Sequence, residues 1–483
     1  MPRTYIKDLN QNVGQSVLIK GWVSVRRDQG KMVFLEIRDM SGYVDTALNE
    51  QELTKIRNQF NTIQAVILPG NAFLEVGKQI RQECVVEVVG TVEQRPEKNQ
   101  VPEMLNGTIE LKIEELKILS TADTLPFPID DDTSVIDEEA RLRYRYLDLR
   151  SERMQRNMRL RSRFVQLCRE YLFENHFTEI ETPLLTESTP EGSRDFVVPS
   201  RLRSGNFYAL PQSPQQYKQL LMVGGFERYF QIARCLRDED LRADRGFEFS
   251  QIDIEMSFVE QEDVMQTIEE MMTQSVEAMG FTIKENPFPR FTCAEAKDKF
   301  GADKFDLRTD EDKAHGVLAY AWVYKFPFFE KTDNGAWTFT HNPFSMPIPE
   351  HVDMLLKNEN VGDILTTQYD LVCNGYESAG GSIRAHRPEL LKATYEVMGY
   401  SADEIEERIG HMLEAFKYGA PPHGGIALGI ERNIMNLTGE EYLREVQAFP
   451  MTRGGQSAVM KAPKPLTEQQ LKELGISIRP PKK

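Results

Sequence analysis

Arginine, aspartate and glutamate stand side by side at Arg237-Asp238-Glu239, followed by Arg245 and Phe249. Arg237 and Glu239, two apart, share a face, so a guanidinium and a carboxylate can meet one polyanionic ligand together. The run lies between 229–233 and 250–256, and in the second stretch polar and apolar residues alternate strictly, which marks two strands of a hairpin. Period two puts Phe249, Gln251, Asp253 and Glu255 on one face and Ile252, Ile254 and Met256 on the other, giving the hairpin a polar working face. Taken alone, the Arg-x-Glu triplet reads more readily as a solvated charged hairpin.

A second run, Gly424-Gly425-Ile426-Ala427-Leu428-Gly429-Ile430-Glu431-Arg432, reads as a glycine-punctuated strand entering a helix that carries an arginine. Its glycines suit close approach to a nucleotide, or tight packing between strand and helix. A third run, Phe177-Thr178-Glu179-Ile180-Glu181-Thr182-Pro183, lies upstream. In chain order, these three regions resemble motifs 1, 2 and 3 of the class II aminoacyl-tRNA synthetases. The segments Thr189-Pro190-Glu191-Gly192-Ser193-Arg194-Asp195-Phe196, Gln212-Ser213-Pro214-Gln215-Gln216-Tyr217-Lys218 and Gly375-Tyr376-Glu377-Ser378-Ala379-Gly380-Gly381-Ser382-Ile383-Arg384 are similar to bacterial-type aspartyl-tRNA synthetases. The likeness covers nearly the whole chain.

That resemblance implies a ligase that joins L-aspartate to AMP from ATP, then passes it to the 3′ end of tRNA-Asp; Gln29 stands where relatives that charge only tRNA-Asp differ from those that also charge tRNA-Asn, and the sequence leaves both alternatives open. Two anions must be brought together, so positioning and cationic stabilisation carry such chemistry and no protein nucleophile is needed. The resemblance makes Arg237, Glu239 and Arg432 the catalytic residues: Arg237 bridges the substrate carboxylate and the α-phosphate, and Arg432 holds the γ-phosphate. It sets ATP against Arg237, Asp238, Glu239, Phe249, Glu377, Gly429, Ile430, Glu431 and Arg432, with adenine stacked on Phe249. Mg²⁺ falls to Asp370 and Glu377, oxygen ligands that suit it; pairing of either acid with a nearby arginine is the alternative. The aspartate pocket is assigned to Glu191, Ser213, Gln215, Lys218, Arg237, Asp253, His341 and Arg384. Arg384, supported by Lys218, faces the side-chain carboxylate, where a guanidinium makes two charge-assisted bonds that an amide cannot reproduce. Pro183 is implied at a homodimer interface. Two rivals are an asparaginyl- or lysyl-type synthetase and a non-catalytic tRNA-binding paralogue. The second has no need of an ATP clamp and an amino-acid clamp together.

These residues need elements to hold them. Candidate strands at 17–25, 32–38, 43–48, 84–92 and 108–119, with a helical stretch at 52–62 after the third, follow the order of an OB-fold, an oligonucleotide reader. By resemblance, Phe34 stacks on an anticodon base, and Arg27 and Glu110 are further anticodon contacts. Residues 1–120 are thus expected to bind the anticodon, and 121–136, rich in proline and acid, to be a linker. Residues 137–483 are expected to be a class II catalytic domain, making the chain α+β, with a mainly antiparallel sheet flanked by helices. Helical spacing marks 137–148, 151–174, 262–279 and 403–417.

Four departures from the bacterial pattern stand out. The large domain usually inserted between motifs 2 and 3 is reduced to a short connection near 305–317. Gly246-Phe247 replaces a Gln-Pro pair, His341-Asn342 replaces His-His with Ala379 in place of a glycine, and Asp45 stands where glutamine is usual. The net charge of −17 argues against phosphate binding in bulk, but arginines cluster at Arg26-Arg27, Arg141-Leu142-Arg143-Tyr144-Arg145 and along 153–163. Five scattered cysteines without C-x-x-C spacing imply reduced thiols, and no histidine pair suggests a structural metal. Without a signal-like or membrane-length apolar run, a cytoplasmic protein is expected.

Overall fold

The computed structural model describes residues 1–43, 60–102, 104–188 and 192–479, and divides into two compact units, Met1–Arg156 and Asn157–Lys483. The division falls inside the helix Glu152–Glu174. In the first unit, strands Ser16–Asp28, Val33–Tyr43, Phe60–Ile67, Ile109–Ser120 and Val85–Gln94 close, in that order, into a barrel. Every second residue points inward: Val33, Leu35 and Ile37, then Ile63, Ala65 and Ile67, then Val86 and Val88 are buried in one core.

The third strand corrects the expectation. It is Phe60–Ile67, overlapping the end of the helical stretch expected at 52–62, because Ile63, Ala65 and Ile67 alternate into the core. The helix between the third and fourth strands is Leu74–Gln79. Residue 43 ends the second strand, while the rest of the strand expected at 43–48, with Asp45, lies outside the described residues, as do 52–59.

The second unit is built on an eight-stranded sheet, in the order Arg290–Thr292, Tyr320–Tyr324, Gln368–Cys373, Tyr376–Ile383, His423–Gly429, Glu248–Ser257, Arg228–Leu236 and Thr178–Glu179. Only the two edge pairings are parallel, so the sheet is mainly antiparallel, as expected. Helices Glu152–Glu174 and Gln261–Ala278 cover one face through Phe164, Cys168, Leu172, Val264, Ile268 and Met272, which pack with Ile252, Ile254, Ile426 and Leu428. Burying that apolar stripe is what fixes the helices on the sheet. The opposite, polar face is left for the site. The connection near 305–317 contains a short exposed helix, Asp310–Ala314, capped by Thr309 and Asp312.

Candidate active site

The strands Glu248–Ser257, Tyr376–Ile383 and His423–Gly429 floor one cleft, lined by Phe249, Gln251 and Asp253 from the first, Glu377 to Gly381 from the second, and Ala427 and Gly429 from the third. The alternation read in the hairpin holds: Ile252, Ile254 and Met256 are in the core beneath.

At one end, four charges are buried together. Lys218 Nζ lies 2.8 Å from Asp253 Oδ2 and 3.4 Å from Glu255 Oε2. Arg384 donates from Nε and Nη2 to Glu255, at 2.9 and 3.1 Å, and from Nη1 to Ser382 Oγ at 2.7 Å. One N–H on each terminal nitrogen of Arg384 is thus left, among the described residues, where the side chain lines the cleft. Burial tends to raise the Glu255 carboxyl, but Arg384 and Lys218 hold it below the ordinary range. Burial raises Asp253 despite Lys218, and Asp253 Oδ1 is buried with no hydrogen-bond partner among the described residues. That is an acceptor awaiting a donor.

The other end is cationic and acidic in turn. Arg237 Cζ lies 5.0 Å from the centroid of the Phe249 ring, and its Nε donates to the Gln212 carbonyl at 3.4 Å. Arg432, at the start of helix Ile430–Thr438, pairs with Asp244 at 3.1 Å and donates to the Glu377 carbonyl at 3.1 Å. Glu377 takes Lys304 Nζ at 2.6 Å, and although burial tends to raise it, Lys304 and Arg432 bring its pKa to about 2. Asp370 is raised by burial and by the Glu377 charge. His341 Nε2 lies 3.6 Å from Asp370 Oδ2; burial lowers the imidazole, yet Asp370 leaves it raised overall. Both carboxylates reach toward Gly380, where a Cβ would meet Asp370 Oδ1 at 3.1 Å and Glu377 Oε1 at 3.5 Å.

Of the residues singled out in sequence, Ser213, Gln215, Lys218, Arg237, Glu239, Phe249, Asp253, His341, Glu377, Arg384, Gly429, Glu431 and Arg432 line this one cleft. Asp370 lies just beneath it, against His341. Two lie off the cleft. Asp238 turns to Arg194, 3.7 Å away, and Ile430 is buried in the core. Glu431 is tied to the backbone N–H of Ser250, to Arg161 and to Gln447, so it anchors the helix to the hairpin. Glu191 lies outside the described residues. Gly424 and Gly425 are explained by the sheet: a Cβ would overlap Ile383 at the first, and Ile254 and Glu255 at the second. Where Gln-Pro is usual, the Phe247 ring packs edge-on against Phe196, 5.4 Å between centroids, and its carbonyl accepts from the Arg237 N–H at 2.8 Å.

Glu255, Asp244 and Lys304 were not singled out. Strand alternation had placed Glu255 on the working face, but nothing local announced Asp244 or Lys304, whose partners are distant in sequence.

In the barrel, Arg27 pairs with Phe34 across neighbouring strands. Arg27 donates to Glu36 at 2.8 Å and Gln64 at 3.2 Å, and Gln64 donates to Glu110 at 3.0 Å. Phe34 is half-buried and lies on the same outward face as Glu36, whereas its neighbours Val33 and Leu35 fill the core.

Residues 137–453 match the family "tRNA synthetases class II (D, K and N)", and residues 17–119 match the "OB-fold nucleic acid binding domain". An aspartate–tRNA(Asp/Asn) ligase of Corynebacterium kroppenstedtii is 37% identical, covering 98% of both chains. One from Rubrobacter xylanophilus is 38% identical, covering 97% of this chain and 95% of its own. The first alignment runs over 605 positions against 483 residues here, so more than a hundred positions of that comparison have no residue in this chain. Among solved structures, an aspartyl-tRNA synthetase described as putative, from Leishmania major, shares the fold with a TM-score of 0.73 at 22% identity, covering 93% of this chain and 94% of its own. The chain therefore belongs to the class II aminoacyl-tRNA synthetases of the D, K and N family, with an OB-fold domain ahead of the catalytic one.

Proposed function

We propose that this ligase activates L-aspartate and transfers it to tRNA-Asp, and to tRNA-Asn as well. The observation that carries the choice of amino acid is the Arg384 fork. Glu255 and Ser382 hold it so that the donors left over are N–H groups, with Lys218 beside them. A carboxylate accepts from both cations. The amide of asparagine would turn an NH₂ group toward donors, and a lysine side chain would bring a third cation among them.

The substrate carboxylate and the α-phosphate meet at Arg237, whose positive charge offsets their repulsion as the carboxylate oxygen bonds to phosphorus and pyrophosphate leaves. Phe249 offers the adenine a flat apolar surface, and Arg432 a cation for the γ-phosphate. The terminal ribose hydroxyl of the tRNA then attacks the carbonyl carbon, forming the ester as AMP leaves. Asp370 and Glu377 fit Mg²⁺, which takes one or two carboxylates together with phosphate oxygens. Among the described residues no cluster of three or more metal-ligating side chains occurs. When bound, Mg²⁺ neutralises phosphate charge.

Phe34, Arg27 and Glu110 serve as the anticodon platform, supported by their shared outward face. Residues 1–120 form the anticodon-binding domain, 121–136 the linker and 137–483 the catalytic domain. Motif 1, with Pro183 followed by the exposed Leu184 and Leu185, forms the contact between two copies. A cytoplasmic location follows from tRNA charging; no helix among the described residues is long and apolar enough to cross a membrane. Exchange of pyrophosphate into ATP, measured with aspartate, asparagine and lysine, tests the amino acid: exchange with aspartate alone is expected, and exchange with either other amino acid in its place would overturn the reading.

A further inference from the structure

Three side chains form a line from the cleft wall into the interior. Gln215 Nε2 donates to Gln219 Oε1 at 3.1 Å, Gln219 Nε2 lies 3.1 Å from His423 Nε2, and His423 Nδ1 lies 2.7 Å from the Pro421 carbonyl oxygen. Gln219 and His423 are fully buried, and Gln215 lines the cleft.

The direction of the line follows from its inner end. A carbonyl oxygen only accepts, so Nδ1 of His423 carries the hydrogen. Burial holds the ring near pKa 4, although Glu255 works the other way, with Arg384 and His386 the other charged or titratable groups facing it. The ring is therefore neutral near pH 7, and its Nε2 holds a lone pair that must accept. Gln219 then turns its NH₂ inward and its oxygen to Gln215. One N–H of the Gln215 amide is used in turn, and its oxygen accepts no hydrogen bond among the described residues, in a side chain that lines the cleft.

We propose that His423 and Gln219 are positioning residues, which lock the Gln215 amide with its oxygen toward the substrate and so present an acceptor to the ammonium of the amino acid. Reversing the line would point an NH₂ group at that ammonium, donor against donor. The inference rests on reading the cleft as an amino-acid site.

His423→Asn keeps a donor for Pro421 but has nothing at the Nε2 position, whereas His423→Gln can place an oxygen there. In pyrophosphate exchange, His423→Asn should raise the KM for aspartate about ten-fold or more, as for a lost hydrogen bond to a charged group, with the KM for ATP unchanged. Succinate, which lacks the ammonium, should inhibit wild type and variant alike within about two-fold, and His423→Gln should recover most of the aspartate KM. An equal loss for aspartate and succinate, or no loss for either, would overturn the proposal. Ring-nitrogen NMR of the wild-type protein at pH 7 gives a second test without a variant: a neutral ring with hydrogen on Nδ1 supports the relay, and hydrogen on Nε2 refutes it. Failure of the wild type to activate aspartate would instead refute the amino-acid assignment, and the NMR result distinguishes the two.

Discussion

Arg384 and Glu255 form a forked pair, Nε at 2.9 Å and Nη2 at 3.1 Å, with both side chains almost wholly buried. Glu255 therefore sets the direction of the guanidinium before any ligand arrives, and the cation has no freedom to follow a misplaced one. Arg384→Gln should raise the barrier to aspartate activation by about 2–5 kcal/mol, since it leaves a buried carboxylate unpaired. The KM for ATP should stay within a few-fold. Melting temperatures measured alongside separate this from misfolding, and unchanged aspartate kinetics would show that Arg384 does not select the amino acid.

Two glycines of the same strand separate a packing requirement from a ligand requirement. At Gly425 a Cβ would overlap the Ile254 backbone and the Glu255 carboxylate, so Gly425→Ala should destabilise the fold by about 1–3 kcal/mol or more. At Gly429 it would meet only the Ser378 carbonyl, at 3.9 Å. Gly429→Ala should therefore melt like wild type. A raised KM for ATP in that variant would mark a close nucleotide, and an unchanged one would remove Gly429 from the ATP site.

Phe34 faces outward from the barrel, so Phe34→Ala should leave the melting temperature nearly unchanged. Loss of a stacked base should weaken tRNA binding by about 1–3 kcal/mol, raising the KM for tRNA with pyrophosphate exchange intact. Equal loss of exchange would contradict a role confined to the anticodon.

His423 also gives a pH signature. Its pKa is lowered by burial from 6.5 to about 4, so between those values the unfolded chain holds a proton that the folded one does not. Stability from this group is complete above about pH 6.5 and is lost as the pH falls toward 4, with a slope of up to about 1.4 kcal/mol per pH unit. His423→Asn lacks that slope. The gap in unfolding free energy between wild type and variant should narrow as the pH drops through this window, and a constant gap in denaturant titrations would show that the ring is not held neutral.

Strict alternation made the hairpin at 250–256 legible in sequence, and with it the polar working face carrying Phe249, Asp253 and Glu255, because a strand with one buried face repeats every second residue. The third barrel strand was misplaced because the stretch before it is polar and mixed, with no period to separate strand from helix. Arg237, Arg384 and Arg432 came from motif resemblance, and spacing alone assigned none of them. The ties that steady the site were not legible. Lys304 meets Glu377, Asp244 meets Arg432, and Gln219 meets His423, each across more than seventy residues and each from a loop or helix that no local pattern ties to its partner.

The connection near Asp310–Ala314, read in sequence as a reduced insertion, contributes no residue to the assigned site, so the proposal has both half-reactions proceed without it. Aminoacylation of purified tRNA-Asp transcript by the isolated protein, with ATP, Mg²⁺ and radiolabelled aspartate, tests the proposed reaction from end to end. We expect aspartate esterified to the tRNA at catalytic enzyme concentrations, and no ester with asparagine or lysine. Robust pyrophosphate exchange without transfer to either tRNA-Asp or tRNA-Asn, or transfer of another amino acid, would refute the assignment.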